Sequence, residues 1–177
     1  MITKINTDIP NNTNKKIIET LYNTHNWRFG FDQTLTKNLD DKDSGFMLFT
    51  YNIDNDYHNN DILNTYAQII FDMVGKKTFM KFKKINRVYW NWYHPGSIMK
   101  FHYDVKADNQ FSIIYNLHDN DGGTEMKIND KITFYKSKES EALLFPSKLY
   151  HRGIAPKENL NKSERRQKKQ TRYKGQG

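Results

Sequence analysis

The sequence has 177 residues and no cysteine, carries a formal net charge of +8 and is 14% aromatic. This length fits one domain with a sizeable hydrophobic core, and the aromatic content argues against an intrinsically disordered chain. The lack of cysteine excludes disulfides and thiolate metal sites, so a metal would need His, Asp or Glu ligands. The N-terminus lacks the apolar stretch of a signal peptide, and no apolar run reaches the ~18 residues of a membrane span. We therefore expect an intracellular, cytoplasmic protein without membrane contact.

The positive charge lies mainly in two segments of the chain. Residues 156–177 hold eight Lys or Arg against two Glu, a local charge of +6. Residues 76–87 hold six Lys or Arg and no acidic residue, so the remainder of the chain is mildly acidic. We interpret both segments as solvated surface. The alternative is a binding surface for an acidic partner such as nucleic acid.

The first half of the sequence predicts two helices and one strand. Residues 14–23 have apolar residues on one helical face, and residues 46–51 are rich in aromatic residues that favour a strand. Residues 61–74 predict the longer helix, which Asn60 or Asp61 would cap. Its apolar residues recur at helical spacing and are expected to pack on a sheet: Ile62, Tyr66, Ile69, Ile70, Met73 and Val74.

After Gly75 the sequence changes to short β-rich segments separated by turn residues. Strands are predicted at residues 87–93, 99–105, 111–117, 125–128, 131–135 and 142–145. The pattern predicts a mainly β (α+β) protein, with a sandwich or jelly-roll core supported by N-terminal helices. We divide this single domain, residues 1–177, into a helix and strand buttress (1–86), a catalytic core (87–155) and a basic tail (156–177).

Two histidines and one aspartate form a candidate metal site. His102 and Asp104 are separated by one residue, so their side chains would share one face of the strand predicted at 99–105. His151 follows the last predicted strand. Two histidines and a carboxylate form the facial triad of non-haem Fe(II) oxygenases, which leaves coordination positions open. The alternative is a surface ion pair between His102 and Asp104 with an unrelated loop histidine.

The residues around these three carry a wider pattern. In chain order its elements are Tyr93, Gly96, His102, Asp104, Gly122-Gly123-Thr124, Leu143-Leu144-Phe145-Pro146 and His151. In this order and spacing, residues 87–151 resemble the Fe(II)/2-oxoglutarate-dependent oxygenase superfamily, in particular its prolyl 4-hydroxylase-like branch. The resemblance implies that the β core is a double-stranded β-helix, a jelly roll of the cupin type, which holds the metal ligands.

The resemblance implies a role for each matched residue. His102, Asp104 and His151 are similar to the ligands of Fe(II). Tyr93 and Thr124 are similar to residues that bind the co-substrate 2-oxoglutarate. The implied reaction converts 2-oxoglutarate and O₂ to succinate and CO₂ while a substrate is hydroxylated, with ascorbate as the expected reductant.

The sequence departs from the family pattern at two places. Met99 stands where prolyl hydroxylases usually have a second tyrosine that contacts the substrate. The family also has a basic residue, on a strand after the second histidine, that forms a salt bridge with 2-oxoglutarate. Arg165 is the first candidate for this residue, although the segment after it has almost no apolar residues, and Arg152 is the second.

The sequence thus predicts a hydroxylase, and we expect its substrate to be a protein side chain. One alternative keeps the chemistry but places a small molecule or a nucleic-acid base in the site, and the two basic segments motivate the nucleic-acid version. Another is a degenerate, cupin-like module that binds a metal without turnover. No motif identifies the substrate.

Overall fold

The computed structural model describes residues 1–25, 27–29, 45–53, 57–95, 97 and 99–157. Over these ranges the chain is mostly β, with ten strands and two helices. No helix within them is long and apolar enough to cross a membrane. The predicted class, mainly β with N-terminal helices, is therefore confirmed at this level.

The two helices lie where the sequence predicted them, and both are longer. Helix α1 spans Asn11–Tyr22 and begins after Pro10, whose fixed φ suits a helix start. Helix α2 spans Asp61–Thr78, and the Asn60 side chain caps it by accepting a hydrogen bond from the Leu63 N–H at 3.1 Å. The helix continues past Gly75 and ends at Thr78. The next residue, Phe79, has the left-handed conformation, with φ 57°.

The strands form three antiparallel sheets. The first has the order β1 (Thr3–Asn6), β9 (Glu141–Pro146), β6 (Phe111–Tyr115). The second has the order β10 (His151–Ile154), β7 (Gly123–Ile128), β8 (Lys131–Lys136). In the third, β3 (Gly45–Asn52) pairs with β2 (Arg28–Phe29), β4 (Tyr57–His58) and β5 (Arg87–Tyr93).

Six of the seven predicted strands are present. Strand β5 has the predicted bounds, and the ends of the other five differ by at most two residues. The prediction of a strand at 99–105 is wrong, because this stretch forms only an isolated bridge between His102 and His151. The ladder does not continue, since the N–H groups of Asp104 and Val105 both point to the carbonyl of Ser147, at 3.1 and 3.3 Å.

Strand pairing crosses the boundary that the sequence suggested after residue 86. Strand β1 pairs with β9, and all residues of β5 pair with β3. Strand β1 was not predicted, because Ile5 is the only apolar residue in its sequence, and this residue is buried. Strand β10 was not predicted either. His151 is its first residue and therefore lies on a strand rather than in a loop.

Strand β9 separates two parts of the hydrophobic core. Ala142 and Leu144 face one side and pack with Val74 of α2. Leu143 and Phe145 face the other side and pack with Met126 of β7. This run of apolar residues is buried on both faces, which explains why β9 lacks the alternating pattern of a half-exposed strand.

Replacement of Leu144 by Ala tests this central position. Leu144 is fully buried, so the change should leave a cavity and lower the free energy of unfolding by about 2–5 kcal/mol. The matched control is Ile132→Ala on β8, where the side chain is 55% exposed, with an expected loss below about 1 kcal/mol. Urea unfolding of both variants measures the difference, and equal losses would contradict the assignment of β9 to the core.

Candidate metal centre

The structure brings His102, Asp104 and His151 together. One ligand atom from each residue lies within 4.8 Å of the other two. The Nε2 atoms of the two histidines are each 3.7 Å from a carboxylate oxygen of Asp104, His102 from Oδ1 and His151 from Oδ2. Two atoms that bind one ion at about 2.0–2.2 Å are at most about 4.4 Å apart. A small inward shift of the side chains would thus let all three bind the same ion.

Backbone hydrogen bonds fix the positions of the two histidines. The His102 N–H donates to the His151 carbonyl at 2.8 Å, and the His151 N–H donates back to the His102 carbonyl at 3.0 Å. Such a reciprocal pair places the two residues directly opposite each other. Their imidazole rings accordingly lie 4.5 Å apart, measured between centroids.

A second pair of hydrogen bonds determines the tautomer of each imidazole, that is, which ring nitrogen carries the proton. The Nδ1 atom of His102 lies 3.0 Å from the Lys100 carbonyl, and that of His151 lies 2.8 Å from the Leu149 carbonyl. A carbonyl oxygen only accepts, so in a neutral ring the proton must be on Nδ1. The lone pair is then on Nε2, the atom that faces Asp104, as in most histidines that bind metals.

Hydrogen bonds from neutral groups hold the Asp104 carboxylate. The Ser112 hydroxyl donates to Oδ2, and the Tyr89 hydroxyl donates to Oδ1 at 3.3 Å. The hydroxyls of Ser112 and Ser147 are 3.0 Å apart, so Ser147 can donate to Ser112 in turn. Arg87 donates to the backbone carbonyl of Asp104 at 2.9 Å instead of to the carboxylate. The carboxylate therefore keeps its negative charge available for a cation.

Burial changes the acidity of the groups around the site. It lowers the pKa of His151, and this effect outweighs the opposing influence of the Asp104 charge. Burial also raises the pKa of Tyr93 to about 12, with a further contribution from Asp104. Burial and then Asp104 raise the pKa of Tyr89 well above its usual value. Both tyrosines are thus protonated hydrogen-bond donors near neutral pH.

Tyr93 and Thr124 both lie next to Gly153, which follows His151 by two residues on β10. A Cβ atom on Gly153 would be 2.5 Å from the Tyr93 hydroxyl oxygen, so only glycine leaves room for this tyrosine. Thr124 is the register partner of Gly153, and directly opposed residues project to the same face of a sheet. Thr124 is also buried and borders the same cleft as the three metal-ligand candidates.

Arg152 does not join this group. Strand residues alternate between faces, so Arg152 points away from the face that carries His151 and Gly153. Its Nε and one terminal nitrogen each lie 2.7 Å from Glu125 Oε2, and its guanidinium covers the Phe101 ring. This ion pair occupies the arginine, so the structure does not support it as a ligand of the co-substrate.

Arg165 and Gly96, which also belong to the predicted site and pattern, lie outside the described part of the chain. Met99 is described, is buried and borders the cleft, with its N–H donating to the Gly153 carbonyl at 3.1 Å.

Sequence reasoning missed Ser112, Tyr89, Ser147 and Gly153. The sequence position of Gly153 could have indicated its place in the site, since a residue two positions beyond a metal-ligand candidate on a strand projects to the same face. Ser112, Tyr89 and Ser147 had none, because only the packing of separate strands places their hydroxyl groups near Asp104.

Two solved structures are similar to this chain over most of its length. One is a prolyl 4-hydroxylase from Pseudomonas putida, with 10% sequence identity and a TM-score of 0.58; the match covers 89% of this chain and 87% of that chain. The other is the viral collagen prolyl hydroxylase from Paramecium bursaria Chlorella virus-1, in its 2OG complex. It has 14% identity and a TM-score of 0.56, and the match covers 89% and 90%. The chain has the prolyl 4-hydroxylase fold.

The prolyl 4-hydroxylase fold confirms the resemblance that the sequence motifs predicted. No protein-family model matches the sequence, and no curated protein does. The likeness therefore rests on the fold, within which His102, Asp104 and His151 converge.

Ser112 should orient the Asp104 carboxylate for metal binding. Replacement by Ala removes the donor to Oδ2, and loss of such a supporting bond lowers metal affinity by about tenfold. Calorimetric titration with Co(II), which histidine and carboxylate ligands accept, measures this affinity. The control is Thr65→Ala, whose exposed hydroxyl bonds only within α2 and should have no effect. Unchanged affinity in the Ser112 variant would contradict its orienting role.

The lowered pKa of His151 should make the metal-free protein less stable in acid. The unfolded chain has the ordinary histidine pKa near 6.5, so below that pH it gains a proton that the folded chain resists. Stability should therefore fall as the pH is lowered from about 7 to 5. In His151→Gln, measured by thermal unfolding with a chelator present, the fall should be smaller. An identical fall in both proteins would show that His151 does not contribute.

Proposed function

We propose that the protein is a non-haem dioxygenase that depends on Fe(II) and 2-oxoglutarate and hydroxylates a side chain of a protein substrate. The observation that carries this proposal is the convergence of His102, Asp104 and His151, with both Nε2 atoms directed to the carboxylate. We include in the proposal that the β core is a double-stranded β-helix within one oxygenase domain, and that the protein is cytoplasmic.

The three side chains fit a catalytic iron better than a structural metal. Two imidazoles and one carboxylate occupy three positions of an octahedral ion and leave three for other molecules. A structural site would usually have all its positions filled by protein ligands. Among the described residues, only these three form a cluster of potential metal ligands. Bound iron with 2-oxoglutarate would supply the oxidising chemistry, consuming O₂ and releasing succinate and CO₂, with ascorbate as the proposed reductant.

Tyr93 and Thr124 are the proposed protein contacts of 2-oxoglutarate. The high pKa of Tyr93 keeps its hydroxyl protonated, so it can donate a hydrogen bond to a carboxylate. Thr124 lies across from Gly153 on the same face as His151. The viral relative in fold was solved as a 2OG complex, which supports this ligand. Arg165 remains the proposed cationic anchor, because Arg152 is engaged by Glu125.

The chain itself contributes orientation and shielding. The Nδ1 bonds to Lys100 and Leu149 keep both imidazoles in the form that binds metal. The Phe145 ring contacts the His151 ring at 4.8 Å between centroids and covers its buried side. His102, by contrast, is exposed on the cleft side, where a substrate could approach.

The test is the visible charge-transfer band that a 2-oxo acid gives when it chelates Fe(II). We expect this band when Fe(II) and 2-oxoglutarate are added without oxygen to the purified protein, and we expect its loss in His102→Ala. No substrate needs to be known for this measurement. The control is His25→Ala, an exposed histidine that is not part of the triad.

Each outcome has a distinct meaning. Loss of the band in the His102 variant only would establish both the triad and chelation of the co-substrate. Metal binding without a band would favour the degenerate module and would point to a missing co-substrate anchor. Failure to bind metal at all would refute the proposal.

A further inference from the structure

The backbone bridge between His102 and His151 is short and irregular. Two hydrogen bonds join these residues, and the N–H of Met99 donates to the Gly153 carbonyl at 3.1 Å. Two residues separate Met99 from His102 along one segment, whereas one residue separates Gly153 from His151 along the other. The first segment thus contains one extra residue, as in a β-bulge. A slip by that residue would bring Phe101 opposite His151 and turn His102 to the other face.

The residues next to the two histidines form an aromatic cluster, which consists of Phe101, Tyr103 and Tyr150. Phe101 and Tyr103 precede and follow His102, and Tyr150 precedes His151. The Tyr150 ring stacks on the Phe101 ring at 5.3 Å between centroids, with the ring planes 24° apart, and it lies 4.7 Å from the Tyr103 ring. One ring from the segment of His151 therefore contacts the rings on both sides of His102.

The aromatic cluster lies on the face opposite to the imidazoles. Arg152 follows His151 on β10 and points away from the face that carries His151. Its guanidinium lies 4.4 Å from the centroid of the Phe101 ring, so Phe101 is on the Arg152 side. Tyr150 is on that side too, because its ring stacks on Phe101. Metal-ligand candidates and aromatic rings thus occupy opposite sides of one bridge.

Charged side chains contact the aromatic cluster at both of its ends. Arg152 covers Phe101 and is itself bound by Glu125 of β7, with two nitrogen–oxygen distances of 2.7 Å. At the other end, the Lys106 ammonium lies 5.6 Å from the centroid of the Tyr103 ring. Cation–π attraction favours both contacts. Because β7 and β10 are paired, Arg152 and Glu125 connect the cluster to the second sheet.

These side-chain contacts favour one register of the bridge over the slipped one. Cross-strand aromatic pairs stabilise the register in which they meet. In the slipped register, Phe101 would lose its contacts with Tyr150 and Arg152 and would enter the site. The cluster therefore favours the register in which His102 faces Asp104.

We propose that Phe101, Tyr103 and Tyr150 are positioning residues of the candidate metal centre, which hold His102 opposite His151 from the outer face of the bridge. They act through the two histidines rather than by contact with the ion. The inference rests on the metal site of the proposed function, but it is independent of the co-substrate and of any hydroxylated substrate.

The main test is Tyr150→Ala, which removes the ring that contacts both others. Co(II) affinity, measured by calorimetric titration, should fall about tenfold or more, because His102 would no longer be held in place. The visible spectrum of bound Co(II) should change towards that of His102→Ala. Tyr150→Phe keeps the ring and should restore the affinity and the spectrum of the unmodified protein.

Two further variants separate positioning from a general loss of stability. Tyr66→Ala removes a partly buried ring that packs against another core cluster, beside Leu63, and should destabilise the protein without changing its Co(II) affinity. Tyr103→Ala removes a ring that is 45% exposed, so the protein should still fold. Its Co(II) affinity should fall in the same direction as that of Tyr150→Ala.

Hydrogen exchange in the metal-free protein tests the bridge directly. The amide groups of His102 and His151 donate its two hydrogen bonds. Relative to the amide groups of α2, both should exchange faster in Tyr150→Ala and at the unmodified rate in Tyr150→Phe.

Several outcomes would overturn the positioning role. They are unchanged Co(II) affinity in Tyr150→Ala, unchanged exchange at both histidines, an equal loss of affinity in Tyr66→Ala, or failure of Tyr150→Phe to restore the affinity. Absence of Co(II) binding by the unmodified protein would instead refute the proposed function. Hydrogen exchange would then still decide whether the aromatic cluster holds the bridge.

Discussion

The reciprocal hydrogen bonds between the backbones of His102 and His151 are the interaction on which the candidate site depends. They join two segments that are far apart in sequence, and single hydrogen bonds from Met99 to Gly153 and from Asp104 to Ser147 accompany them. The N–H groups of Asp104 and Val105 donate to the Ser147 carbonyl instead of extending the bridge. The Asp104 carboxylate lies 3.7 Å from the Nε2 atom of each histidine.

The environment of Asp104 shows how a protein can hold a carboxylate without neutralising it. A cation at the carboxylate would compete with a metal for the same charge, and Arg87 avoids this by bonding the backbone carbonyl. Ser112 and Tyr89 donate instead, and both are neutral, since Tyr89 has a raised pKa. Hydrogen bonds of this kind fix the direction of the side chain and leave its charge for the metal. The same principle applies to the imidazoles, whose Nδ1 protons are held by backbone carbonyls.

The core and the site are connected through β9. This strand is buried on both faces, packing with Val74 on one side and with Met126 on the other. Its last apolar residue, Phe145, contacts the His151 ring, so the rigid centre of the fold also positions one of the metal-ligand candidates. His102, by contrast, is exposed and borders the cleft. Within the described residues, packing thus fixes the position of the His151 ring more closely than that of the His102 ring.

The sequence was sufficient to predict the class of fold, both helices, most strands and the identity of the three convergent residues. It could do so because helical and strand periodicity are local, and because His102, Asp104 and His151 stand in a recognisable order of motifs. It misjudged the backbone of 99–105, since the pattern favoured a strand while long-range hydrogen bonds to Ser147 decided otherwise.

The surroundings of the triad depend on how distant segments pack and could not be predicted from the sequence. Arg152 was a candidate for the co-substrate until the register of β10 with β7 placed it beside Glu125, on the opposite face. Ser112 and Tyr89 reach Asp104 only because separate strands meet there, and no spacing in the sequence encodes that distance. Local residue patterns specify which groups are present, whereas the pairing of distant strands specifies which of them share a face and a charge environment.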